Sequence, residues 1–274
     1  MGVIRTGFAW ACGLGFVFMC AGKPTKGAIG AKGSPDGTSS VPSASSYVQD
    51  GLIALWDGIE NVDWGTHDAQ ATVWKDLVGT HDISIPAGAG MSWGADYLHR
   101  GLAGLINTGV ACMAPNYTVE MVVDVSPDNT PSVNGRLFGS SRNSTRFEVD
   151  VYAQNPTAGP RLYIKRATSS SPGSVLCSFG RESFSGTWCV RYSIDSDGFI
   201  TVSDSSLGKS YRLGNAIDTV YYSGVNLLVG SWTNGGGVQG PLVCNIHCIR
   251  IYSRVLSGEE VTKNYQIDKE RFGL

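Results

Sequence analysis

Apolar and polar positions alternate along much of this chain with the two-residue period of a pleated strand. In the run YTVEMVVDV, residues Tyr117, Val119, Met121, Val123 and Val125 share one face, while Glu120 and Asp124 lie on the other. Similar short runs, separated by Gly, Pro, Asn, Asp and Ser turn signals, predict strands at Leu52–Trp56, Thr72–Trp74, Ile83–Ile85, Tyr117–Val125, Arg136–Gly139 and Arg146–Tyr152. Others follow at Arg161–Lys165, Ser174–Phe179, Thr187–Ile194, Phe199–Ser203, Val225–Gly230 and Leu242–Tyr252. One helix is predicted, at the C-terminus. Ser257-Gly-Glu-Glu260 has the spacing of a capping box, and Lys269 and Arg271 near the end suit the helix dipole. Many short strands and one terminal helix describe an all-β fold, a two-sheet antiparallel jelly-roll sandwich with a short C-terminal α-helix.

Composition agrees with that class. Gly is abundant at 36 residues of 274, and charged residues make up 16%, well under the roughly 25% of an average domain. A net charge of −2 gives no electrostatic reason for a nucleic-acid or anionic-membrane partner.

The organisation is threefold. Residues 1–22 carry one positive charge, at Arg5, and an apolar run from Phe8 to Met19 that is too short to span a bilayer. Such a leader fits either a signal peptide, with Cys20-Ala21-Gly22 near the cleavage point, or an uncleaved apolar peg that docks into an assembly. Residues 23–46 are a Gly/Pro/Ser-rich linker. Residues 47–274 form the folded domain.

Seven cysteines are too scattered for a disulfide scaffold. Cys177 and Cys189 flank a hairpin turn, GRESFSG, where a cross-strand disulfide and two buried thiols are both compatible with the spacing. CNIHC at 244–248 resembles a zinc half-site without its second half, and in a regular strand Cys244, Ile246 and Cys248 would face the core with His247 opposite. The tetrapeptide Gly-Thr-His-Asp occurs twice, at Gly65–Asp68 and Gly79–Asp82, placing two of the four histidines beside carboxylates.

Four stretches carry a family resemblance, in order: GLIALWDGIENVDWGTHDAQATVWKDLVGTHD, TWCVRYSIDSDGFITV, NLLVGSWTNGGGVQGPLVCNIHCIRIYSRVLSGEEV and the final VTKNYQIDKERF. Together these resemble the laminin-G-like branch of the concanavalin A-like lectin/glucanase superfamily, in the form common on surface proteins of gut bacteria and on their phages. The resemblance covers Tyr47 to Leu274. It implies that the second Gly-Thr-His-Asp is the turn after a Trp-x-Asp-Leu motif, and the first a polar loop among Asp57, Glu60, Asp63 and Trp64. Two departures stand out: His247-Cys248 where the family has acidic residues, and VSDSSLG where it has Tyr-Val-Asn-Gly.

The glucanases of that superfamily carry Glu-x-Asp-x-x-Glu on one strand. Here Glu148 and Asp150 occupy the first two places and Ala153 the third, so the proton donor that retaining hydrolysis needs is missing. No nucleophile elbow, zinc-protease helix, phosphate loop or EF-hand is present. The expectation is therefore a non-catalytic module that binds glycan or a surface protein on a bacterial cell surface or phage virion. The alternatives are a structural decoration protein whose apolar N-terminus finds an assembly partner and, behind it, a glycan hydrolase with a displaced acid. Candidate glycan contacts are Trp232 and Asn234 in the Gly-rich GSWTNGGG segment, and Trp93 in GMSWGADYL. Calcium is a possible ligand, with Asp57, Glu60, Asp63 and Asp68 as candidate oxygen donors whose spacing matches no defined loop.

Overall fold

The structure, a computed structural model, describes residues 41–126, 135–140, 147–152, 161–168, 171–180, 186–212, 224–233 and 238–274; for 147–152, 161–168, 171–180, 232, 238 and 239 it describes the backbone alone. The strands are β1 (Leu52–Asp57), β2 (Val73–Trp74), β3 (Ile83–Ser84), β4 (Met91–Trp93), β5 (Leu98–Arg100), β6 (Ile106–Ala111), β7 (Tyr117–Val125), β8 (Gly135–Ser140) and β9 (Phe147–Tyr152). They continue with β10 (Arg161–Thr168), β11 (Ser171–Gly180), β12 (Gly186–Ile194), β13 (Ile200–Asp204), β14 (Lys209–Arg212), β15 (Asn226–Val229), β16 (Trp232–Thr233), β17 (Val238–Gln239) and β18 (Cys244–Tyr252), and α1 (Gly258–Phe272) closes the chain.

Two antiparallel sheets form the sandwich. The larger runs β14-β13-β12-β7-β18-β5-β4, with β1 also paired to β18, and the smaller runs β11-β10-β9-β8-β15-β6. Between them lies one apolar core that includes Trp56, Trp74, Trp188, Met121, Val123, Phe138, Tyr192 and Ile251. The tryptophans at 56, 74 and 188 are fully buried, and the indoles of Trp56 and Trp74 donate to the carbonyls of His81 and Asp57 at 3.0 and 2.9 Å. Each thus hides its apolar area without leaving its N–H unpaired.

The outer face of the larger sheet is covered as well. Alternation along β7 sends Thr118, Glu120, Val122 and Asp124 away from the core, yet Thr118, Glu120 and Val122 are buried: Asn264 of α1 donates to Glu120 at 2.8 Å, and Thr118 meets Arg254 and Leu256 in the connection before the helix. A second apolar cluster there joins Leu52, Leu55, Cys248 and Tyr252 of the sheet to Leu256 and Ile267, and to Ala44, Tyr47 and Val48. The fold therefore takes in residues 43–46, which the linker reading had placed outside it: Ser43 caps a turn of 3-10 helix at Ala44–Ser46, and the amide of Ala44 donates to Glu60 at 2.8 Å.

α1 is built as its sequence predicts. The Ser257 hydroxyl accepts from the Glu260 amide while the Glu260 carboxylate accepts from the Ser257 amide, and Gly273 ends the helix at φ +69°. Its buried face is polar: Asn264, Asp268 and Arg271 accompany Ile267 at three- and four-residue steps. Arg250 of β18 donates to both oxygens of Asp268 at 2.6 and 2.7 Å and to Glu120 at 3.0 Å. Arg271 donates to Asp57 at 2.7 Å and Glu60 at 3.0 Å.

β18 departs from regularity at one point that matters. Its register against β7 shifts between Ile246 and Cys248, so that Ile246 stays in the core while Cys248 turns to the outer cluster. The expectation that Cys244, Ile246 and Cys248 share one face is corrected accordingly: an extra residue in one strand inverts the faces beyond it.

Because the Arg250–Asp268 pair is buried on both sides, removing Asp268 strips the guanidinium of its bidentate partner and leaves it with Glu120 alone. Asp268→Ala is expected to lower unfolding free energy by about 3–5 kcal/mol, read from urea denaturation followed by tryptophan fluorescence. A loss under about 1 kcal/mol, the range of an exposed pair, would remove this contact from the supports of the fold.

Candidate functional site

A cavity of about 230 Å³ lies where α1 passes over β12, β13 and β14, lined by Arg191, Ser203, Asp204, Ser205, Gly208, Lys209, Ser210, Val261, Thr262 and Tyr265. The strand pattern explains its floor. In GTWCVRYSI, Trp188, Val190, Tyr192 and Ile194 point into the core, which turns Arg191 outward. Arg191 stands opposite Ser203 of β13 on one side and Glu120 of β7 on the other, Ser203 stands opposite Ser210 of β14, and Glu120 stands opposite Arg250. A polar ladder thus crosses five strands on the outer face. The helix covers its Glu120–Arg250 end and leaves the Arg191–Ser203–Ser210 end as the pocket, with Tyr265 and Thr262 as the opposite wall.

The electrostatics of that ladder are uneven. Glu120 Oε2 accepts from Arg250 Nε at 3.0 Å and from Asn264 at 2.8 Å. Asp204 Oδ1 accepts from the amide and hydroxyl of Ser206 at 3.0 and 2.5 Å, which holds the β13–β14 turn. Arg191 Nε and Ser203 Oγ are buried with no hydrogen-bond partner among the described residues. Burial lowers the Arg191 pKa, an effect that Glu120 only partly offsets. Desolvation, with nearby negative groups, raises that of Tyr265. The site offers a guanidinium, hydroxyls and an aromatic wall, with exposed Lys209 and Ser210 at its mouth.

The residues singled out from the sequence lie elsewhere. Trp93 is half-buried at the sandwich edge, where its indole donates to the Ala71 carbonyl at 2.8 Å and its ring meets Trp74 and His67 edge-on at 5.5 and 6.3 Å. The backbone of Trp232 pairs with Gln239, but its side chain lies outside the described residues, as does Asn234. Glu148 and Asp150 sit on β9, and they and Cys177 likewise lie outside the described side chains.

The four acidic candidates are put to separate tasks. Asp57 and Glu60 meet Arg271 in the helix network, and Glu60 also accepts from the amides of Ala44 and Gly65, both at 2.8 Å. Asp63 and Asp68 cap their own turns, accepting from the amides of Trp64 and Gln70 at 2.8 Å each. Among the described residues no group of three or more His, Cys, Asp or Glu side chains is placed to hold a metal ion.

Both Gly-Thr-His-Asp copies serve local structure. His67 meets the Gly58 carbonyl at 3.0 Å, while His81 meets Asp76 at 3.2 Å and Asp82 takes Lys75 at 2.6 Å. Asp76 also accepts from the amides of Leu55, Val78, Gly79 and His81 at 3.0–3.1 Å, so the Trp-Lys-Asp-Leu turn is tied to β1.

Sequence reasoning missed Arg191, Ser203, Lys209 and Tyr265. One signal was present: VSDSSLG, where the chain departs from the family pattern, is the turn at the rim of this pocket. The other departure, His247, sits at the β18 bulge. Its Nε2 lies 3.1 Å from Asp124 and its Nδ1 3.1 Å from the Asp96 carbonyl and 3.4 Å from the Asp96 carboxylate, with Tyr97 and Phe272 rings against it.

No family model matches the chain, and no curated protein matches it. Solved structures do. The sialidase of Trypanosoma rangeli in complex with sialic acid is 15% identical, with a TM-score of 0.54 over 85% of this chain and 34% of that one. The same enzyme in complex with 2,3-difluorosialic acid, a covalent intermediate, is 16% identical, with a TM-score of 0.54 over 86% of this chain and 35% of that one. The Ruminococcus gnavus IT-sialidase CBM40 overlaps less well, at 18% identity and a TM-score of 0.43 over 53% of this chain and 79% of that one. The fold is an antiparallel β-sandwich that these sialidase structures share, and the chain spans about a third of the length of the sialidase chains it matches.

The expectation of a non-catalytic chain does not stand. Structures that share this fold over most of the chain are mainly sialidases, which are enzymes. Sialidases use a tyrosine nucleophile in place of the usual carboxylate pair. The missing acid at Ala153 therefore excludes one glycosidase chemistry, not catalysis as such.

His247 supplies a pH signature. Burial pulls its pKa down, but the hydrogen bond and charge of Asp124, with those of Asp96, outweigh burial and raise it. Burial pushes Asp124 up, and hydrogen bonds from His247 and Thr187 outweigh that and lower it. A raised histidine stabilises fully below its unfolded value of about 6.5 and loses that contribution as pH rises through its folded value. The lowered aspartate stabilises above about pH 3.9 and loses its contribution as pH falls through its folded value. The stability gap between wild type and His247→Gln should therefore be wider at about pH 5.5 than at about pH 9, as read from urea midpoints. An equal gap at both would sink this account.

Proposed function

We propose that this chain is a glycan-recognition sandwich of the laminin-G-like kind, and that the saccharide enters the pocket beneath α1. The observation that carries the reading is a pocket that Tyr265 lines together with an outward row of polar groups, of which Arg191 Nε and Ser203 Oγ are buried with no hydrogen-bond partner among the described residues. A sugar needs that combination: an aromatic face against its C–H groups and fixed polar atoms for its hydroxyls. The volume of about 230 Å³ is below the ~300 Å³ where pockets for drug-sized ligands begin, which suits one sugar ring rather than an oligosaccharide. The Trypanosoma rangeli sialidase that shares the fold is found in complex with sialic acid and with 2,3-difluorosialic acid, which supports saccharide as the ligand class. Recognition of this kind serves a binding domain and a glycan-processing enzyme alike.

The setting belongs to the same proposal: display beyond residues 1–46 on a bacterial surface or a phage virion, with the apolar leader serving export or docking. The test is a glycan array followed by calorimetry on the full chain. Tyr265→Ala should weaken binding of whichever glycan is captured by at least about tenfold, the scale of one good contact, while Trp93→Ala leaves it unchanged. Binding that survives Tyr265→Ala but is lost in Trp232→Ala would move the site to the 230–239 loop and refute the pocket.

A further inference from the structure

We infer that residues 42–48 are a strap that seats α1 on the sheet, and that displacing the strap unseats the helix and opens the pocket beneath it. The inference rests on the reading of that pocket as the binding site and adds its control.

The buried face of α1 cannot seat itself. Asn264, Asp268 and Arg271 are buried beside Ile267, and each is costly to bury unless hydrogen-bonded. The strap supplies one partner to each of the three. Asn264 Oδ1 accepts from the Val48 amide at 3.0 Å, Asp268 Oδ1 accepts from the Tyr47 hydroxyl at 2.8 Å, and Arg271 donates to the Pro42 carbonyl. Residue numbers fall along the strap as they rise along the helix, so the two run antiparallel from 264 to 271, about 10 Å of helix. The Tyr47 ring also lies 4.1 Å from the Arg250 guanidinium, covering its ion pair with Asp268.

The strap has few other holds. It belongs to no strand, and pairing with β18 begins only at Leu52. Outside α1 and its own turns its hydrogen bonds go to Glu60, from the Ser43 hydroxyl and the Ala44 amide. It can therefore leave without breaking a strand pair, and a load on the chain ahead of Pro42 reaches it before it reaches β1. The helix is held unevenly in turn. Its start is fixed by the capping box and by Arg254, which donates to both Glu260 oxygens at 2.8 and 2.6 Å. At its end, Arg271 Nε and Asp57 Oδ2 are buried with no hydrogen-bond partner among the described residues, so the strap's contacts matter most there. A helix pinned at its start and freed at its end lifts about the pinned end. Tyr265, about 8 Å along from Glu260, lifts with it and takes the pocket wall away.

Four buried cysteines can report this. Cys248 lies in the apolar cluster with Tyr47, Cys189 lines the recess below Val261 and Tyr265, and Cys112 and Cys244 belong to the core between the sheets. Cys189 and Cys248 sit on either side of β7, both opposite Val122, so they read the pocket end and the strap end of the outer face separately. The experiment labels the full chain with iodoacetamide in native buffer and follows each cysteine by mass spectrometry, in wild type, Tyr47→Ala and Tyr47→Phe. Tyr47→Ala should speed labelling of both Cys248 and Cys189 by at least about tenfold, the scale of one lost hydrogen bond to a charged group, while Cys112 and Cys244 keep their wild-type rates. Tyr47→Phe, which loses the hydroxyl alone, should show the same pattern more weakly, and it decides the matter if Tyr47→Ala does not fold. Acceleration of Cys248 alone means that the strap leaves and the helix stays, which overturns the coupling. Equal acceleration of all four makes Tyr47 a support of the whole fold, and no acceleration leaves the strap without a hold on the helix; either overturns the inference. Labelling needs no ligand, so a glycan array that captures nothing refutes the glycan reading alone and leaves the strap to be judged by the thiols.

Discussion

The contact on which most of this molecule depends is ionic and buried. Two arginines at the interface between α1 and the outer face of the larger sheet each bind two carboxylates: Arg250 takes Asp268 of the helix and Glu120 of the neighbouring strand, and Arg271 of the helix takes Asp57 and Glu60. Buried ion pairs of this kind contribute little net stability when compared with apolar packing, but they tolerate only one alignment. Here the alignment determines three things at once. It places α1 along the sheet, it draws the segment before β1 under the helix through Tyr47 and Glu60, and it decides how far across the ladder the helix reaches.

That constraint also explains which parts of the structure could be read from the amino acids. Alternation located β1, β7, β12 and β18, because those strands line a core with one sharply apolar face. The helix was legible from its cap and from the charges at its ends. Short strands at the ends of the larger sheet were not: β4, its neighbour β5 and β14 are three or four residues long, too short for alternation to declare itself, and β14 is exposed throughout. The carboxylates misled for a different reason. Glu120 and Asp57 look solvated in the strand pattern, but their partners Arg250 and Arg271 lie 130 and 214 residues away in the chain. No local spacing announces a pair like that.

The candidate site was hidden by the same circumstance. Its members come from β12, β13, β14 and α1, and each alone has an ordinary explanation: an outward arginine, serines on an edge hairpin, a tyrosine on a helix. The more conspicuous features were absorbed by local structure. Both Gly-Thr-His-Asp copies anchor turns, Trp93 is pinned by Ala71 and Trp74, and the acidic loop around Asp57 is tied up by Arg271. Motifs with short spacing tend to be satisfied locally, so the residues left for a ligand are those whose only neighbours are distant ones.

The ladder and the pocket are therefore one feature with two ends. Crossing from β18 to β14, the row reads Arg250, Glu120, Arg191, Ser203, Ser210. At the covered end, Asp268 from the helix completes the charge balance. One to two helical turns earlier the corresponding residues are Tyr265, Thr262 and Val261, which bring no carboxylate to Arg191. Had α1 placed an acidic residue at 261, 262 or 265, the ladder would be closed and the outer face inert. Its sequence there instead supplies a ring, a hydroxyl and a short aliphatic side chain, and the Arg191–Ser203–Ser210 end of the ladder stays open as the pocket.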